Sequence, residues 1–419
     1  MDPNRKTALG ASSGPFHSDG PVERKRPPRL TIVQYGDYAE AVTRFQAGED
    51  ETYYAQRYTV DFLADLASSA ETEQVTVISF AADAPDQIAA PGIRTIGVDL
   101  YPRDGRARFD ALLDAIAGSH PTHLVVASPI CHAIRWGLRQ KLPVLPLFAD
   151  SFHASGLRGY IRNRRLARLL NNPAIDVVAN HNLAASLDLA RIGVNRSKIV
   201  PFDWPELISM QDYSPKSAPP PNRPFRMLYA GQLTQAKGVG DAIRALAILR
   251  RRRRDVTLTL VGNGEAAAFE TLAAKEGVAE HVTLAGRLPH GRVLDEMRAH
   301  DVVVVPSHHA YPEGLPMTLY EALCVRVPLI VSDHPMFTLR IRDGREALVH
   351  PERNAGALAD RVERLVSDSR LYEEFSIRAE TSVKNYLCPM KWDRLIKDFL
   401  DSASRYRLQY YSLAQYAYL

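Results

Sequence analysis

Cysteine is scarce: Cys131, Cys324 and Cys388 are the only three in 419 residues. So odd and scattered a set supports neither a disulfide framework nor a thiolate metal site; reduced, mostly buried thiols in a cytoplasmic protein are expected. Long hydrophobic runs are missing too. Nothing approaches the roughly 20 consecutive apolar residues that span a bilayer, and the run DVVVVPS at 301–307 has the length of a buried strand. Residues 1–28 contain no apolar core of a secretory signal and read as a disordered polar arm. No Asp-x-Asp pair occurs anywhere, and no repeat of short fixed period. Charge of one sign is not in excess: 52 Lys and Arg against 48 Asp and Glu leave +4, which does not by itself imply a nucleic-acid partner.

What is there is an ordinary globular composition, 46% hydrophobic and 24% charged, on a chain long enough for two or three domains. Short β-branched runs recur at 29–36, 74–80, 93–100, 122–129, 143–150 and 175–180. Amphipathic stretches near 53–69, 107–118 and 132–141 separate many of them, and a long polar loop is expected after Gly36. The Pro- and Ser-rich segment SPKSAPPPNRP (214–224) then breaks the pattern, and the rhythm restarts at FRMLYAG (225–231). Strands alternating with helices predict parallel sheets covered on both faces. The fold class is therefore α/β, two tandem doubly wound, Rossmann-like domains with an interdomain cleft. The domains fall at 29–205 and 224–385, joined by a Pro-rich linker at 206–223, with a helical tail at 386–419. Ligands are expected at the C-terminal ends of the strands, facing the cleft.

One stretch concentrates chemistry: YPEGLPMTLYEALCVRVPLIVSD, residues 311–333. A strand ends in Pro-Ser, a loop carries Glu313, and Gly314-Leu315-Pro316 leads into a helix over 316–324. The unpaired amides of that first turn, from Gly314 to Met317, form with the helix dipole a seat for a diphosphate. Glu321 lies nearly two turns on, roughly 10 Å along the helix. Carboxylates beside a phosphate seat do not bind phosphate, but they accept hydrogen bonds from hydroxyls. The arrangement suits a nucleotide-sugar, with Glu321 toward the ribose and Glu313 toward the sugar. Spacing alone would leave two glutamates as surface charges; the loop and helix around them supply the meaning.

Glu313-x7-Glu321 within PSHHAYPEGLPMTLYEALCVRVPLIVSD resembles the C-terminal signature of the GT-B retaining glycosyltransferases of family 4. The resemblance extends through LYAGQLTQAKGVGDAIRAL (228–246), LTLVGNGE (258–265) and VTLAGRLP (282–289), essentially the whole second domain. It implies a hexosyltransferase that takes a UDP- or GDP-sugar and keeps the anomeric configuration, acting on a saccharide or lipid-linked saccharide in bacterial surface polysaccharide or glycolipid synthesis. It further implies an acceptor domain followed by a donor domain, and a tail packed back across the first. Lys237 fits the family's Lys-Gly, where an ammonium neutralises the departing diphosphate. Gly231, Gly262, Gly264, Gly314, Leu315, Pro316 and Met317 line the expected donor site. No protein nucleophile is evident. The single-domain glycosyltransferases hold a metal with Asp-x-Asp, which this chain lacks, so no metal and no cofactor are expected.

The chain departs from the family in places. Gln232 stands where an arginine is usual, leaving Arg287 or Arg326 to supply the charge; Arg326 itself occupies a position often held by glycine. In the first domain Asp150 follows a strand, but Ala149 replaces the usual histidine, with His132 and His153 as neighbours in sequence. Paired glycines after the first strand are absent, and Gly36 and Gly48 are the nearest substitutes. These departures leave open a catalytically weak nucleotide-sugar-binding protein. Gly262-Asn263-Gly264 after a strand also matches a dinucleotide fingerprint, the basis of an NAD(P)-dependent oxidoreductase alternative, although the next strand ends without an acid. His308 and His309 read as loop residues. The arginine run 250–254 reads as a solvated helix end, with peripheral contact to an anionic membrane as the second reading.

Overall fold

The computed structural model describes residues 26–100, 106–152, 156–313 and 316–416. Its first domain has eight strands: β1 (Arg29–Gln34), β2 (Gln74–Ser79), β3 (Ala84–Ala90), β4 (Ile93–Gly97), β5 (His123–Val126), β6 (Val144–Phe148), β7 (Val178–His181) and β8 (Ile199–Asp203). The helices are α1 (Tyr38–Gln46), α2 (Gln56–Ser68), α3 (Arg106–Gly118), α4 (Cys131–Arg139), α5 (Gly156–Leu170) and α6 (Leu183–Arg191). The second domain repeats the plan with β9 (Phe225–Ala230), β10 (Val256–Val261), β11 (Val282–Gly286), β12 (Val302–Val305), β13 (Leu329–Ser332) and β14 (Leu348–His350). Helices α7 (Val239–Arg251), α8 (Ala266–Lys275), α9 (His290–Ala299), α10 (Met317–Cys324), α11 (Pro335–Thr338), α12 (Ala355–Ser367) and α13 (Ser369–Tyr386) cover it. A two-residue strand, β15 (Met390–Lys391), and α14 (Trp392–Leu400) follow.

Strand order is β15-β8-β7-β6-β5-β1-β2-β4-β3 in one sheet and β11-β10-β9-β12-β13-β14 in the other. All pairs are parallel except the edge pair β3–β4. Parallel strands sandwiched between helices have no wet face, which is why Val302–Val305 and Val144–Phe148 are buried throughout. Each sheet separates two apolar clusters, one per face.

Three local expectations change. The polar stretch after Gly36 contains α1: Asp37 caps it by accepting from the Glu40 amide at 3.1 Å, and Tyr38, Ala41 and Val42 are buried beneath it. The Pro-rich linker lies along the second domain, with the Lys216 ammonium donating to the carbonyls of Arg298 (2.8 Å) and His300. The arginine run is a seam to α12 as well as a helix end: Arg252 meets Asp360 at 2.7 Å and Arg254 meets Glu363 at 2.7 Å. Among the described residues no helix is long and apolar enough to cross a membrane.

After α13 the chain is not helical throughout, because β15 adds to β8 and returns the tail to the first sheet. The Cys388 amide donates to Asp203, and Trp392 is wedged edge-on against Phe62 at 5.2 Å and beside Trp204 at 5.3 Å. Trp392 is buried, so Trp392→Ala should leave a cavity under the tail and lower unfolding free energy by about 3–5 kcal/mol in a denaturant titration. A loss below about 1 kcal/mol would mean that the tail does not anchor the first domain.

Candidate functional site

Each sheet has one place where the winding reverses: between β9 and β12 in the second domain, between β1 and β5 in the first. Loops leaving such neighbouring strands diverge and open a crevice. The two crevices share one cavity of about 1390 Å³. Tyr35, Phe80, Asp150, His181 and Trp204 line it from the first domain, and Tyr311, Pro312, Glu313 and Met317 from the second.

A backbone contact sets the second-domain side. Gly238 has φ +74°, and a Cβ there would sit 2.0 Å from the Pro306 carbonyl oxygen. Only glycine lets the start of α7 come that close to the end of β12. The approach delivers Lys237, whose ammonium donates to Glu313 at 2.6 Å and lies 4.2 Å from the centre of the Tyr311 ring. The Ser307 hydroxyl donates to the same Glu313 oxygen at 2.6 Å. Glu313 is buried, so its charge needs these partners. His308 pairs with Asp241 at 2.7 Å, and His309 lies between Asp333 and Glu352, so both are loop residues held by carboxylates. Among the described residues no group of three or more His, Cys, Asp or Glu is placed to hold a metal ion.

Glu321 is buried in α10 with His290, the first residue of α9, at 2.9 Å. The other ring nitrogen of His290 is 2.9 Å from Glu51 of the first domain, and the His290 amide donates to the Glu51 carbonyl at 3.0 Å. Tyr54 packs edge-on against Tyr320 at 5.3 Å and His290 at 5.8 Å, and its hydroxyl donates to the Pro205 carbonyl. The result is a clasp between domains, ending at one of the two signature glutamates. Burial by itself lowers the His290 pKa, but hydrogen bonds and charge from Glu321 and Glu51 outweigh it and raise it to about 9. On the cleft wall, burial pushes His181 down to about 4, so it is a neutral imidazole near pH 7.

Other residues singled out from sequence are distributed unevenly. Asp150 lines the cavity, whereas His132 lies on Phe109 with ring centres 4.5 Å apart and is not among the residues lining it. Met317 opens α10 after Pro316, and the Thr318 hydroxyl ties that first turn to the Ala230 carbonyl at the end of β9. Gln232 is exposed, and its carbonyl accepts from the Tyr229 hydroxyl. Arg287 is exposed at the end of β11. Arg326 cannot supply the missing charge: it bonds Glu380 on α13 at 3.0 Å, and its φ of +59° explains why glycine suits that position. Gly314, Leu315 and His153 lie outside the described residues.

The glycines at 262 and 264 answer to a neighbouring loop. A Cβ on Gly262, at φ +142°, would fall 1.8 Å from the Gly231 oxygen, and the Leu233 amide donates to the Asn263 carbonyl at 2.8 Å. Loop-on-loop packing accounts for the glycine pattern with no dinucleotide. Sequence reasoning missed Glu51, His290, Ser307 and Tyr311. Ser307 and Tyr311 flank the signature directly, and a Pro-His opening a helix is the faint signal for His290.

Two parallel-sheet domains around this cleft are the GT-B architecture. Residues 210–382 match the family described as Glycosyl transferases group 1. The alpha-D-kanosaminyltransferase of Streptomyces kanamyceticus is 33% identical over 159 residues, 38% of this chain and 40% of that protein. The chain therefore spans less than half the length of that relative. Among solved structures, the sucrose-phosphate synthase of Thermosynechococcus elongatus superposes with a TM-score of 0.66 at 18% identity, covering 91% of this chain and 99% of that one. HepE of Anabaena, solved with UDP-glucose, gives 0.63 at 13% identity, covering 91% and 100%. At such identities the likeness is one of fold.

The clasp has a pH signature. Protonated His290 binds its two carboxylates more tightly in the folded chain than in the unfolded one. Its contribution, on the order of 3 kcal/mol, is full below about pH 6.5 and fades as pH rises through about 9. The melting temperature of the wild type should therefore exceed that of His290→Gln most near pH 6 and converge with it by about pH 10. A gap that does not narrow with pH would mean that His290 is held neutral.

Proposed function

We propose that the protein is a retaining glycosyltransferase of family 4, moving a hexose from a UDP- or GDP-sugar to a hydroxyl of a saccharide or lipid-linked saccharide. The reading rests on one observation: buried Glu313, joined to Lys237 at 2.6 Å beside a strand-order reversal, lines the same cavity as Asp150 of the first domain. Lys237 is the mobile charge in this scheme. When a diphosphate arrives, its ammonium turns from Glu313 to the phosphate, and the first-turn amides of α10 add to the seat. Ser307 then keeps a hydrogen bond on Glu313, whose carboxylate accepts from a sugar hydroxyl. Glu321, oriented by His290, accepts from the ribose.

The chemical step follows the resemblance. The bond from the anomeric carbon to the leaving phosphate oxygen breaks, and the acceptor oxygen bonds to that carbon on the same face. The acceptor proton passes to the departing phosphate. The charges for leaving-group stabilisation are the chain's own cation and amides, so no metal is invoked. The Glu51–His290 clasp supports a closed cleft in which water is excluded.

The test is a thermal-shift panel of UDP, GDP, ADP, CMP and NADH, each with and without EDTA. One nucleoside diphosphate near 100 times its dissociation constant should add about 2.7 kcal/mol of stability. That shift should survive EDTA and weaken sharply in Glu321→Ala. A response to NADH alone would replace this reading with the oxidoreductase. In donor-turnover assays Lys237→Ala and Glu313→Gln should each lower kcat by about 10²-fold or more. Undiminished nucleotide binding with no turnover in the wild type would make it a sugar-nucleotide-binding protein instead.

A further inference from the structure

The first-domain wall of the cleft carries an unusual charge. Arg135 on α4 and Arg158, Arg162 and Arg165 on α5 all line the cavity. The three on α5 are spaced four and three apart, which stacks them on one helix face. All four side chains are exposed, and none makes a hydrogen bond or ion pair among the described residues. Elsewhere, by contrast, arginines at 94, 223, 252 and 254 are matched to carboxylates at 2.5–2.7 Å. α5 holds no acidic residue at all. Among the described residues the acids lining the cavity are Asp150 and Glu313, and Glu313 is already balanced by Lys237. In a chain of 52 cations and 48 anions, four guanidinium groups on one wall with no ion pair among the described residues are a local excess that like-charge repulsion opposes.

We infer that Arg135, Arg158, Arg162 and Arg165 form an anion subsite on the acceptor side, and that the acceptor sugar carries a phosphate or diphosphate. This rests on the glycosyltransferase reading and narrows its acceptor. Guanidinium pairs grip phosphate oxygens in fork geometry, which fixes orientation as well as position. A phosphate held on this wall would leave the acceptor hydroxyl pointing at Asp150 and the donor sugar. The anion belongs either to a soluble sugar phosphate or to a lipid headgroup. Leu157 and Tyr160, 74% and 61% exposed on the same helix, make the second worth a separate arm.

The experiment uses the full chain saturated with its nucleoside diphosphate, so that the donor seat is already filled. Inorganic phosphate, a hexose 6-phosphate and the neutral hexose are titrated calorimetrically. In a parallel arm, flotation is run with vesicles of phosphatidylcholine alone and with phosphatidylglycerol added. Binding of the hexose phosphate, or flotation only with the anionic vesicles, is expected. Either should weaken at least about tenfold in Arg162→Glu/Arg165→Glu. Arg250→Glu/Arg251→Glu, remote from the cleft wall, should change neither. Because the four arginines are exposed, the melting temperature without anion should hold in the double variant. If the nucleotide binds but neither phosphate nor anionic vesicles do, or both variants weaken binding equally, the subsite does not exist. If no nucleotide binds at all, the parent reading has failed instead.

Discussion

The site depends on one contact between two backbones. The start of α7 can approach the end of β12 only because residue 238 has no side chain; any Cβ would enter the Pro306 carbonyl. That approach sets the reach of Lys237 to Glu313, and through Glu313 the position of Ser307 and Tyr311. A second glycine contact, Gly262 against Gly231, locks the neighbouring loop. The geometry of the second-domain side is thus a consequence of close main-chain packing at a strand-order reversal, and the charged residues are carried into place by it.

Lys237 and Glu313 form a pair of opposite charges beside the cleft. The ammonium satisfies a buried carboxylate that would otherwise be costly to desolvate, and in the proposed reaction it would turn from that carboxylate to the diphosphate. The second glutamate is treated differently. Glu321 is held through His290 to Glu51, so the part of the site proposed for the ribose is mechanically joined to the first domain. Tyr54, seated on Tyr320 and bonded at the Pro205 carbonyl, lies over the same junction. The tail adds a second crossing, where β15 extends the first sheet and Trp392 fills the space between Phe62 and Trp204. The two crossings meet along α2 and the Trp204-Pro205 segment, and together they restrict how the domains can move relative to each other.

The two walls of the cleft also differ in charge. The second-domain wall pairs Glu313 with Lys237, whereas the first-domain wall presents four arginines that make no ion pair among the described residues. Such a difference distinguishes a surface finished within the chain from one completed by a ligand.

Several features were legible in the sequence because their causes act over a few residues. Apolar runs bounded by glycine and proline marked most strands, and the α/β class with its two sheets followed. Glu313, Glu321 and Lys237 stood out because a strand, a loop and a helix start lie next to one another along the chain. The edge strands β3 and β14 were missed because little in them is continuous and apolar. α1 was hidden because it is only nine residues long and lies between Gly36-Asp37 and the polar run Gly48-Glu49-Asp50-Glu51. Only the tertiary structure could decide that Arg326 is engaged with α13, that His132 sits on Phe109, and that Glu51 reaches His290. Those outcomes depend on which distant segments the packing of two sheets brings into hydrogen-bond or ring contact, distances about which residue spacing is silent.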